Sequence, residues 1–244
     1  MASKKCQTIV VGAGLAGLAA ANTFDREGIV YKVIEASNRS GGKVLSDRPN
    51  SDFVFELGPQ FVNKDMTEMA HLIEASGMEM KETDVPENAI SISSMNQEID
   101  KLTDFDTRLE DWDGQVDECL SALYDRFFDD EVFKKIISSN HAELLNINPE
   151  HVSARALKGI NARYKSEMSD LSHQSSRPLN QAIGYLEKNI AGNIFYKDPV
   201  QQVLETKEGY TIITSTGEYE ATSVIMAVPP TVSPNLKEQC IKKH

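Results

Sequence analysis

Three glycines near the start of the sequence have the spacing of a phosphate-binding turn. Gly12, Gly14 and Gly17 form G-x-G-x-x-G between a short apolar run and an alanine-rich segment. In such a turn the first glycine permits a tight bend, the second lets the backbone approach a diphosphate, and the third lets the helix pack closely on the sheet. The N–H groups of Leu15 and Ala16, at the start of the expected helix, would face the phosphates. A purely structural glycine turn has the same spacing, so this motif alone does not settle the function.

A carboxylate at the end of the next apolar run strengthens the phosphate interpretation. Glu35 directly follows Tyr31 to Ile34. An acidic side chain at this place accepts hydrogen bonds from the hydroxyl groups of an adenosine ribose. It would repel a ribose 2′-phosphate, so the pattern disfavours NADP and leaves FAD or NAD.

A second glycine turn follows immediately and favours FAD. Residues 36–43 have the sequence ASNRSGGK, in which Arg39 and Lys43 flank Gly41 and Gly42. A dehydrogenase that binds NAD would leave this turn without a function. We therefore treat NAD as the weaker alternative.

A β-α-β unit is needed to position these motifs, and the sequence predicts one. Residues 7–11 and 31–34 are short apolar runs typical of strands, and residues 15–26 carry apolar side chains at helical spacing. The glycine turn then lies between the first strand and the helix, and Glu35 lies at the end of the second strand.

The rest of the chain predicts a helical middle and a β-rich end. Helical spacing occurs in residues 63–76, in residues 104–139 and after Pro178, whereas residues 194–227 alternate between short apolar runs and turns. We predict an α/β fold, in which a Rossmann-type FAD/NAD(P)-binding domain carries an inserted, mostly helical, partial substrate domain. The predicted bounds are 1–62 and 193–244 for the FAD-binding domain and 63–192 for the insertion.

Composition narrows the classes of partner. The 244 residues carry a formal net charge of -12, which disfavours binding to nucleic acid and to an anionic membrane surface. Cys6, Cys119 and Cys240 lie far apart, so we expect no disulfide framework and a cytoplasmic location, and we expect no targeting segment. The five histidines lack metal-ligand spacing and no serine occupies a nucleophile elbow, so we predict no metal site and nominate no catalytic residue.

The second turn resembles a family signature. Glu35-Ala36, Arg39 and Gly41-Gly42 are similar to the E-A-x-x-R-x-G-G-R signature of the FAD-dependent amine oxidases, a family that includes monoamine, polyamine and amino-acid oxidases. Three later segments resemble further family elements in the same order: FELGPQF at residues 55–61, PVQQV at residues 199–203 and VIMAVPP at residues 224–230.

The resemblance implies FAD as the cofactor and assigns contacts to it. Gly12, Gly14 and Gly17 would contact the diphosphate and Glu35 the adenosine ribose. Arg39, Gly41 and Gly42 would contact the phosphate and ribityl region, with Lys43 in place of the usual arginine. Gly58, Pro59 and Gln60 would run beside the isoalloxazine ring, and Val200 would meet the adenine.

The implied activity is an amine oxidation in which a hydride passes from an amine C–H bond to flavin N5 and oxygen is the final acceptor. Family members usually continue well beyond the V-I-x-A-x-P element, so the sequence resembles the N-terminal half of such an enzyme. We therefore expect the ADP half of the cofactor site to be better formed than the flavin half, with a complementary chain or a homo-oligomer as the source of the rest. The alternative is a non-catalytic FAD-binding module or one half of a split flavoenzyme.

Overall fold

The computed structural model of the protein describes residues 4–47, 55–83, 101–163, 172–230, 232 and 237–239. Its strands are β1 (Lys4–Val11), β2 (Tyr31–Ile34), β3 (Ser46–Asp47), β4 (Phe55–Glu56), β5 (Met80–Glu82), β6 (His173–Ser175), β7 (Ile194–Phe195), β8 (Val200–Thr206), β9 (Gly209–Thr214), β10 (Glu218–Met226) and β11 (Lys237–Gln239). Its α-helices are α1 (Leu15–Arg26), α2 (Thr67–Ala75), α3 (Lys101–Asp111), α4 (Leu120–Phe127), α5 (Glu131–Leu145), α6 (Ala154–Arg163) and α7 (Asn180–Glu187). Short 3₁₀ helices lie at Pro149–His151 and Ala191–Asn193.

A seven-stranded sheet carries the glycine motifs. The strand order is β11-β8-β9-β10-β1-β2-β7. Strands β10, β1, β2 and β7 run parallel to one another, whereas β8, β9 and β10 form an antiparallel meander. Val11 is in register with both Ile34 and Met226, so β1, β2 and β10 end at the same edge of the sheet. In an open α/β sheet this carboxyl edge is where ligands bind.

The predicted β-α-β unit is present. Helix α1 and strand β2 have the predicted bounds, and β1 begins at Lys4, three residues before its predicted start. The C-terminal meander is also present, and β10 returns to pair with β1 as expected. The fold is α/β, as predicted.

Helix α1 is held on the sheet by an apolar face and by a polar link to a distant helix. Leu18 and Ala21 are fully buried in a cluster that includes Val10 and Val33 of the neighbouring strands. Burial of a leucine-sized side chain contributes about 1.5 to 3 kcal/mol. The side-chain amide of Asn22 donates to the carbonyl of Leu186, with 2.7 Å between Asn22 Nδ2 and Leu186 O, and so joins α1 to the end of α7. These contacts fix the direction of the helix whose first residues form the glycine turn.

The chain divides into two compact units. One comprises Met1–Thr83 and Asp170–His244, and the other comprises Asp84–Ser169. The predicted insertion, residues 63–192, extends farther in both directions than the second unit, because α2 and α7 pack within the first unit. Ala182 of α7 and Ile73 of α2 share a buried cluster there. The functional assignment of the two units stays a prediction.

The second unit has a core of its own. Phe105, Leu120, Leu123 and Ile137 are fully buried in one cluster of aromatic and aliphatic side chains from α3, α4, α5 and α6.

Within the described part of the whole chain, none of the helices has the length and apolar character needed to span a bilayer. The described histidines, cysteines and carboxylates also form no cluster that could hold a metal ion. Cys6 and Cys119 are free thiols, and Cys240 lies outside the described residues.

Candidate dinucleotide site

A cavity of about 560 Å³ opens where β1, β2 and β10 end. This volume is in the range of small-molecule and cofactor sites. Most of the site residues predicted from the sequence line this cavity, namely Gly12, Gly14, Leu15, Ala16, Glu35, Ala36, Gly41, Gly42, Lys43, Pro59 and Val200. Motifs that are up to about 190 residues apart in the sequence therefore meet at one place in the fold.

The fold itself requires glycine at two positions of the first motif. Gly12 has a φ of 100°, and a Cβ atom there would approach the carbonyl oxygen of Ala227 to 2.7 Å. A Cβ on Gly17 would lie 2.0 Å from the carbonyl oxygen of Gly12, which prevents the first turn of α1 from packing against the end of β1. Both glycines are explained by the packing of this chain alone.

Gly14 is different, because nothing in the described structure demands a glycine there. Its φ of -72° and ψ of 177° are accessible to any residue. A Cβ atom on Gly14 would meet only Gly42 Cα, at 3.9 Å, which is an ordinary contact. Gly14 nevertheless lines the cavity. The space that its missing side chain leaves open is therefore space available to a ligand.

The start of α1 is prepared for an anion. Gly14 is the N-cap residue, no side chain caps this end, and the first turn contains no acidic residue. The first N–H groups of a helix have no partner within the helix, and they carry the positive end of its dipole. Leu15 and Ala16 line the cavity at this point. A diphosphate is a suitable acceptor for these N–H groups.

Glu35 is anchored by both of its carboxylate oxygens. Oε2 accepts the backbone N–H of Ala13, and Oε1 accepts the backbone N–H of Ser37, each at 2.8 Å. A carboxylate oxygen has two lone pairs, so each oxygen can accept one more hydrogen bond from a ligand. The side chain is thus held at the cavity with acceptor capacity left for ribose hydroxyl groups.

The backbone around Glu35 is fixed by the segment that follows β7. The N–H of Glu35 donates to the carbonyl of Phe195 at 2.8 Å, and its carbonyl accepts the N–H of Asp198 at 3.0 Å. Two residues on, the carbonyl of Ser37 accepts the N–H of Lys197 at 2.8 Å. These hydrogen bonds continue the contact between β2 and β7 beyond the ends of the two strands, and they hold the backbone of Glu35 in place.

The two glycine turns pack against each other. Gly14 and Gly41 form an isolated parallel bridge, and the N–H of Gly41 donates to the carbonyl of Ala13 at 2.9 Å. A Cβ on Gly42, which has a φ of 57°, would approach Gly14 Cα to 3.1 Å. The second turn therefore closes one side of the cavity directly over the first.

Arg39 shapes the second turn through the carbonyl groups of that turn. Its guanidinium group donates to the carbonyls of Ser40, Gly42 and Val44 at 3.0, 2.8 and 3.2 Å. Arg39 does not line the cavity, but it borders a separate shallow cleft with Tyr196 and Glu187. The phosphate and ribityl contact that family resemblance assigns to Arg39 stays a prediction. In the described structure the arginine holds the loop that carries Gly41 and Gly42.

Lys43 and Glu35 are the charged side chains among the cavity-lining residues that the structure describes. Lys43 is exposed, and its ammonium group has no hydrogen-bond or ion-pair partner among the described residues. It provides a positive charge beside the N-terminus of α1. A lysine interacts with a diphosphate as a point charge, without the two parallel hydrogen bonds that an arginine can form.

An apolar wall completes the cavity, and most of its residues were not among the predicted site residues. These additional lining residues are Val11, Ile34, Val44, Ala227, Val228, Pro229 and Val232. The pairing of β10 with β1 places residues 227–229 next to Gly12. The VIMAVPP segment could have predicted Ala227, Val228 and Pro229 as lining residues. It ends a strand parallel to β1, and the carboxyl ends of parallel strands meet at one edge of the sheet.

Three further predicted residues lie outside this cavity. Gly17 packs beneath the turn, as described above. A Cβ on Gly58 would approach the carbonyl oxygen of Lys43 to 2.0 Å, so this glycine permits close contact between two segments of backbone. Gln60 donates through Nε2 to the carbonyl of Glu56 at 3.3 Å and lines a different cleft. The predicted contacts of Gly58 and Gln60 with an isoalloxazine ring stay predictions.

These residues fit the adenosine and diphosphate groups of a dinucleotide cofactor. The gap at Gly14, the uncapped start of α1 and Lys43 suit a diphosphate, and Glu35 suits a ribose. The apolar wall around Val200 and Val228 suits an adenine ring. The diphosphate would place its negative charge beside the positive end of the α1 dipole and the ammonium group of Lys43.

Comparisons with known proteins relate part of the chain to a flavin-containing family. Residues 15–111 match the family model of flavin-containing amine oxidoreductases. Putrescine oxidase from Kocuria rosea is 41% identical over 71 residues, which are 29% of this chain and 15% of that protein. Flavin-containing amine oxidase B from Homo sapiens is 22% identical over 277 aligned residues, which cover 94% of this chain and 51% of the oxidase.

A solved structure has the same fold. Wild-type putrescine oxidase bound to putrescine superposes with a TM-score of 0.78 at 22% sequence identity, over 98% of this chain and 61% of that one. The chain thus spans between 15% and 61% of the length of these three relatives. Residues 15–111 are thus similar to the flavin-containing amine oxidoreductases, and the matched family is flavin-containing, in agreement with the FAD expected from the sequence.

Proposed function

We propose that this chain binds FAD in the cavity at the carboxyl edge of its sheet and serves an oxidoreductase that acts on a small-molecule amine. When bound, FAD supplies the acceptor for a hydride from the carbon next to a neutral amine nitrogen and passes the electrons to oxygen, so that the products are an imine and hydrogen peroxide. The residues described above supply binding and orientation.

Each group of residues has a separate task. The carboxylate of Glu35 accepts hydrogen bonds from the ribose hydroxyl groups, and its two backbone contacts keep it from turning away. The first N–H groups of α1 and the ammonium of Lys43 balance the charge of the diphosphate. The apolar side chains of Val200 and Val228 exclude water from the adenine face. Together they place the cofactor in one orientation.

The observation that carries the proposal is the open position at Gly14. Gly12 and Gly17 are explained by contacts within the protein, whereas the volume in front of Gly14 is occupied by nothing in the described structure. A ligand that must approach the backbone closely explains the choice of glycine at this position. The uncapped helix end beside it supports an anionic group of that ligand.

FAD titration of the purified 244-residue chain tests the binding step. We expect a flavin absorption band to remain with the protein after desalting, and we expect that band to be lost in Gly14→Val. Wild-type protein that carries no flavin absorption band after incubation with excess FAD and desalting would contradict the proposal. Hydrogen peroxide release is then measured on a panel of primary amines, polyamines and amino acids.

A second candidate function is an FAD-binding module that does not turn over an amine. It shares the cavity but predicts retained flavin with no peroxide from any member of the panel. In that case a complementary chain or a second copy would supply the remaining substrate surface. Light scattering on the flavin-loaded protein, with and without candidate chains, distinguishes these arrangements.

A further inference from the structure

A chain of hydrogen bonds joins the second glycine turn to the end of α7. The hydroxyl oxygens of Ser40 and Tyr196 lie 2.7 Å apart, and the hydroxyl of Tyr196 donates to Glu187 Oε1, also at 2.7 Å. Ser40 directly precedes Gly41 and Gly42, which line the dinucleotide cavity. Glu187 is the last residue of α7. The side chain of Tyr196 therefore connects the cavity wall to a helix that lies far away in the sequence.

The direction of these hydrogen bonds follows from the chemistry of the three groups. A carboxylate only accepts hydrogen bonds, and a phenol has a single proton to donate. Because Tyr196 gives that proton to Glu187, the hydroxyl of Ser40 must donate to the phenol oxygen. Desolvation in this cleft raises the pKa of Tyr196 above its ordinary value, so the phenol keeps its proton at neutral pH. Phenylalanine at this position would break both hydrogen bonds.

The end of α7 also holds the element that carries the first glycine turn. Asn22 of α1 donates to the carbonyl of Leu186, which is the residue before Glu187. Two adjacent residues of α7 are thus tied to both sides of the phosphate site. One side is the helix that starts at the first turn, and the other is the loop that forms the second turn.

A cleft behind the second turn leaves it without close packing on that side. This cleft has a volume of about 380 Å³ and is lined by Asn38, Arg39 and Ser40 of the turn, by residues of α7 and by Tyr196. The ring of Tyr196 is at the surface, since the residue is 37% exposed. The hydrogen bonds of its hydroxyl group, and not burial of its ring, are therefore what this residue contributes to the turn.

We propose that Tyr196 is a positioning residue of the dinucleotide site, which holds the second glycine turn at the distance from the first that the diphosphate of FAD requires. Tyr196 does not line the cavity, so it acts through Ser40 on Gly41, whose backbone is bridged to Gly14. This inference rests on the proposed function, because it names a residue that prepares the same cavity for the cofactor.

Tyr196→Phe removes the hydroxyl group and keeps the ring. In an FAD titration of the 244-residue chain, the affinity should fall about fivefold or more, because two hydrogen bonds that restrain the turn are lost. Tyr185→Phe, at a tyrosine of α7 that is 46% exposed, is the matched control and should bind FAD as the wild type does. Equal FAD affinity in Tyr196→Phe and the wild type would overturn the proposal.

Two substitutions of Glu187 show whether the hydrogen-bond chain, and not the tyrosine alone, is responsible. Glu187→Gln keeps an acceptor oxygen for the hydroxyl of Tyr196 and should retain most of the FAD affinity, whereas Glu187→Ala should bind as weakly as Tyr196→Phe. Combining Glu187→Ala with Tyr196→Phe should cause little further loss, because both changes break the same connection. Equal affinities of Glu187→Gln and Glu187→Ala, or additive losses in the double variant, would contradict the proposal.

Hydrogen exchange of the flavin-free protein separates this proposal from the proposed function. The N–H of Gly41, which donates to the carbonyl of Ala13, should exchange faster in Tyr196→Phe than in the wild type and in Tyr185→Phe. Unchanged exchange at Gly41 would refute the proposal whether or not FAD binds. If the wild type retains no FAD, the proposed function fails, and the exchange rate alone then decides whether Tyr196 positions the turn.

Discussion

The backbone N–H of Ala13, inside the first glycine turn, donates to the side chain of Glu35, with 2.8 Å between Ala13 N and Glu35 Oε2. Since Oε1 accepts the N–H of Ser37, one carboxylate links the end of β1 to the loop after β2. Glu35, which we propose binds the ribose, therefore also stabilises the glycine turn that we propose binds the diphosphate. Loss of this side chain should affect both tasks.

Glu35→Gln is expected to lower FAD affinity and to destabilise the first unit by about 1 kcal/mol. The amide has a single acceptor oxygen, so it can satisfy only one of the two backbone N–H groups. FAD titration and thermal unfolding of the same samples measure the two effects. Glu27→Gln, at an exposed glutamate beyond the end of α1, serves as the control. A Glu35→Gln protein with unchanged flavin retention would show that the ribose is not bound here.

Gly14→Ala and Gly17→Ala are expected to have different effects: the first should weaken FAD binding, and the second should disrupt the fold. A methyl group at Gly14 meets only Gly42 Cα at 3.9 Å, so the protein should fold, with a loss of about 1 kcal/mol at most because alanine is a poorer N-cap than glycine. FAD affinity should nevertheless fall by about tenfold or more, because the methyl group occupies ligand space.

Gly17→Ala places its methyl group 2.0 Å from the carbonyl oxygen of Gly12, so this variant should lose the native fold. Circular dichroism melting and flavin absorbance compare the pair. If Gly14→Ala retains FAD as tightly as the wild type, the open space at that position is not a phosphate site.

Substitutions of Lys43 and Arg39, which lie in the same loop, should separate the contribution to FAD binding from the contribution to protein stability. Lys43→Met removes a cation that has no partner among the described residues, so the melting temperature should stay the same while FAD affinity falls severalfold. That loss should shrink as salt is added, since exposed charges are screened.

Arg39→Met removes three hydrogen bonds to the carbonyls of Ser40, Gly42 and Val44. It should therefore lower the melting temperature and the FAD affinity together. A normal melting temperature in Arg39→Met would contradict the positioning function given to this arginine.

Local sequence patterns predicted the N-terminal β-α-β unit correctly. The place of α7 depends on long-range contacts, which local patterns do not show. The bounds of α1 and β2 follow from helical spacing between glycines and from an apolar run ended by Glu35. By contrast, the side chain of Asn22 in α1 bonds to Leu186, 164 positions away, and it adds to the packing that holds α7 in the first unit. No local pattern reports such a contact.

Local sequence patterns also predicted only part of the candidate dinucleotide site. The glycines and Glu35 were found because a motif fixes their spacing, whereas Val228 and Pro229 enter the cavity through the pairing of β10 with β1. The hydrogen bonds of Arg39 depend on how its own loop folds back, and a signature that specifies only residue types cannot show where the guanidinium group points.

The second unit should lose stability in mild acid because of a buried histidine. A hydrogen bond of 2.7 Å joins the hydroxyl of Tyr124 to His141 Nδ1, and the histidine ring packs against Phe105. Burial lowers the pKa of His141 below its ordinary value of 6.5, so the folded unit favours the neutral ring. The unfolded chain then binds more protons below pH 6.5, and stability falls as the pH drops from about 6.5 toward the lower folded pKa.

Thermal unfolding of the wild type between pH 7.5 and about 5 should show this loss, and His141→Gln should reduce it, since glutamine can form a hydrogen bond with the same hydroxyl group without titrating. His151→Gln, at an exposed histidine of the same unit, is the control and should follow the wild type. A pH profile that is the same in wild type and His141→Gln would mean that the acid sensitivity arises from another group. Because Tyr124 and His141 lie in the core of the second unit, the change should appear in tyrosine fluorescence and leave the flavin absorbance of the first unit unaffected.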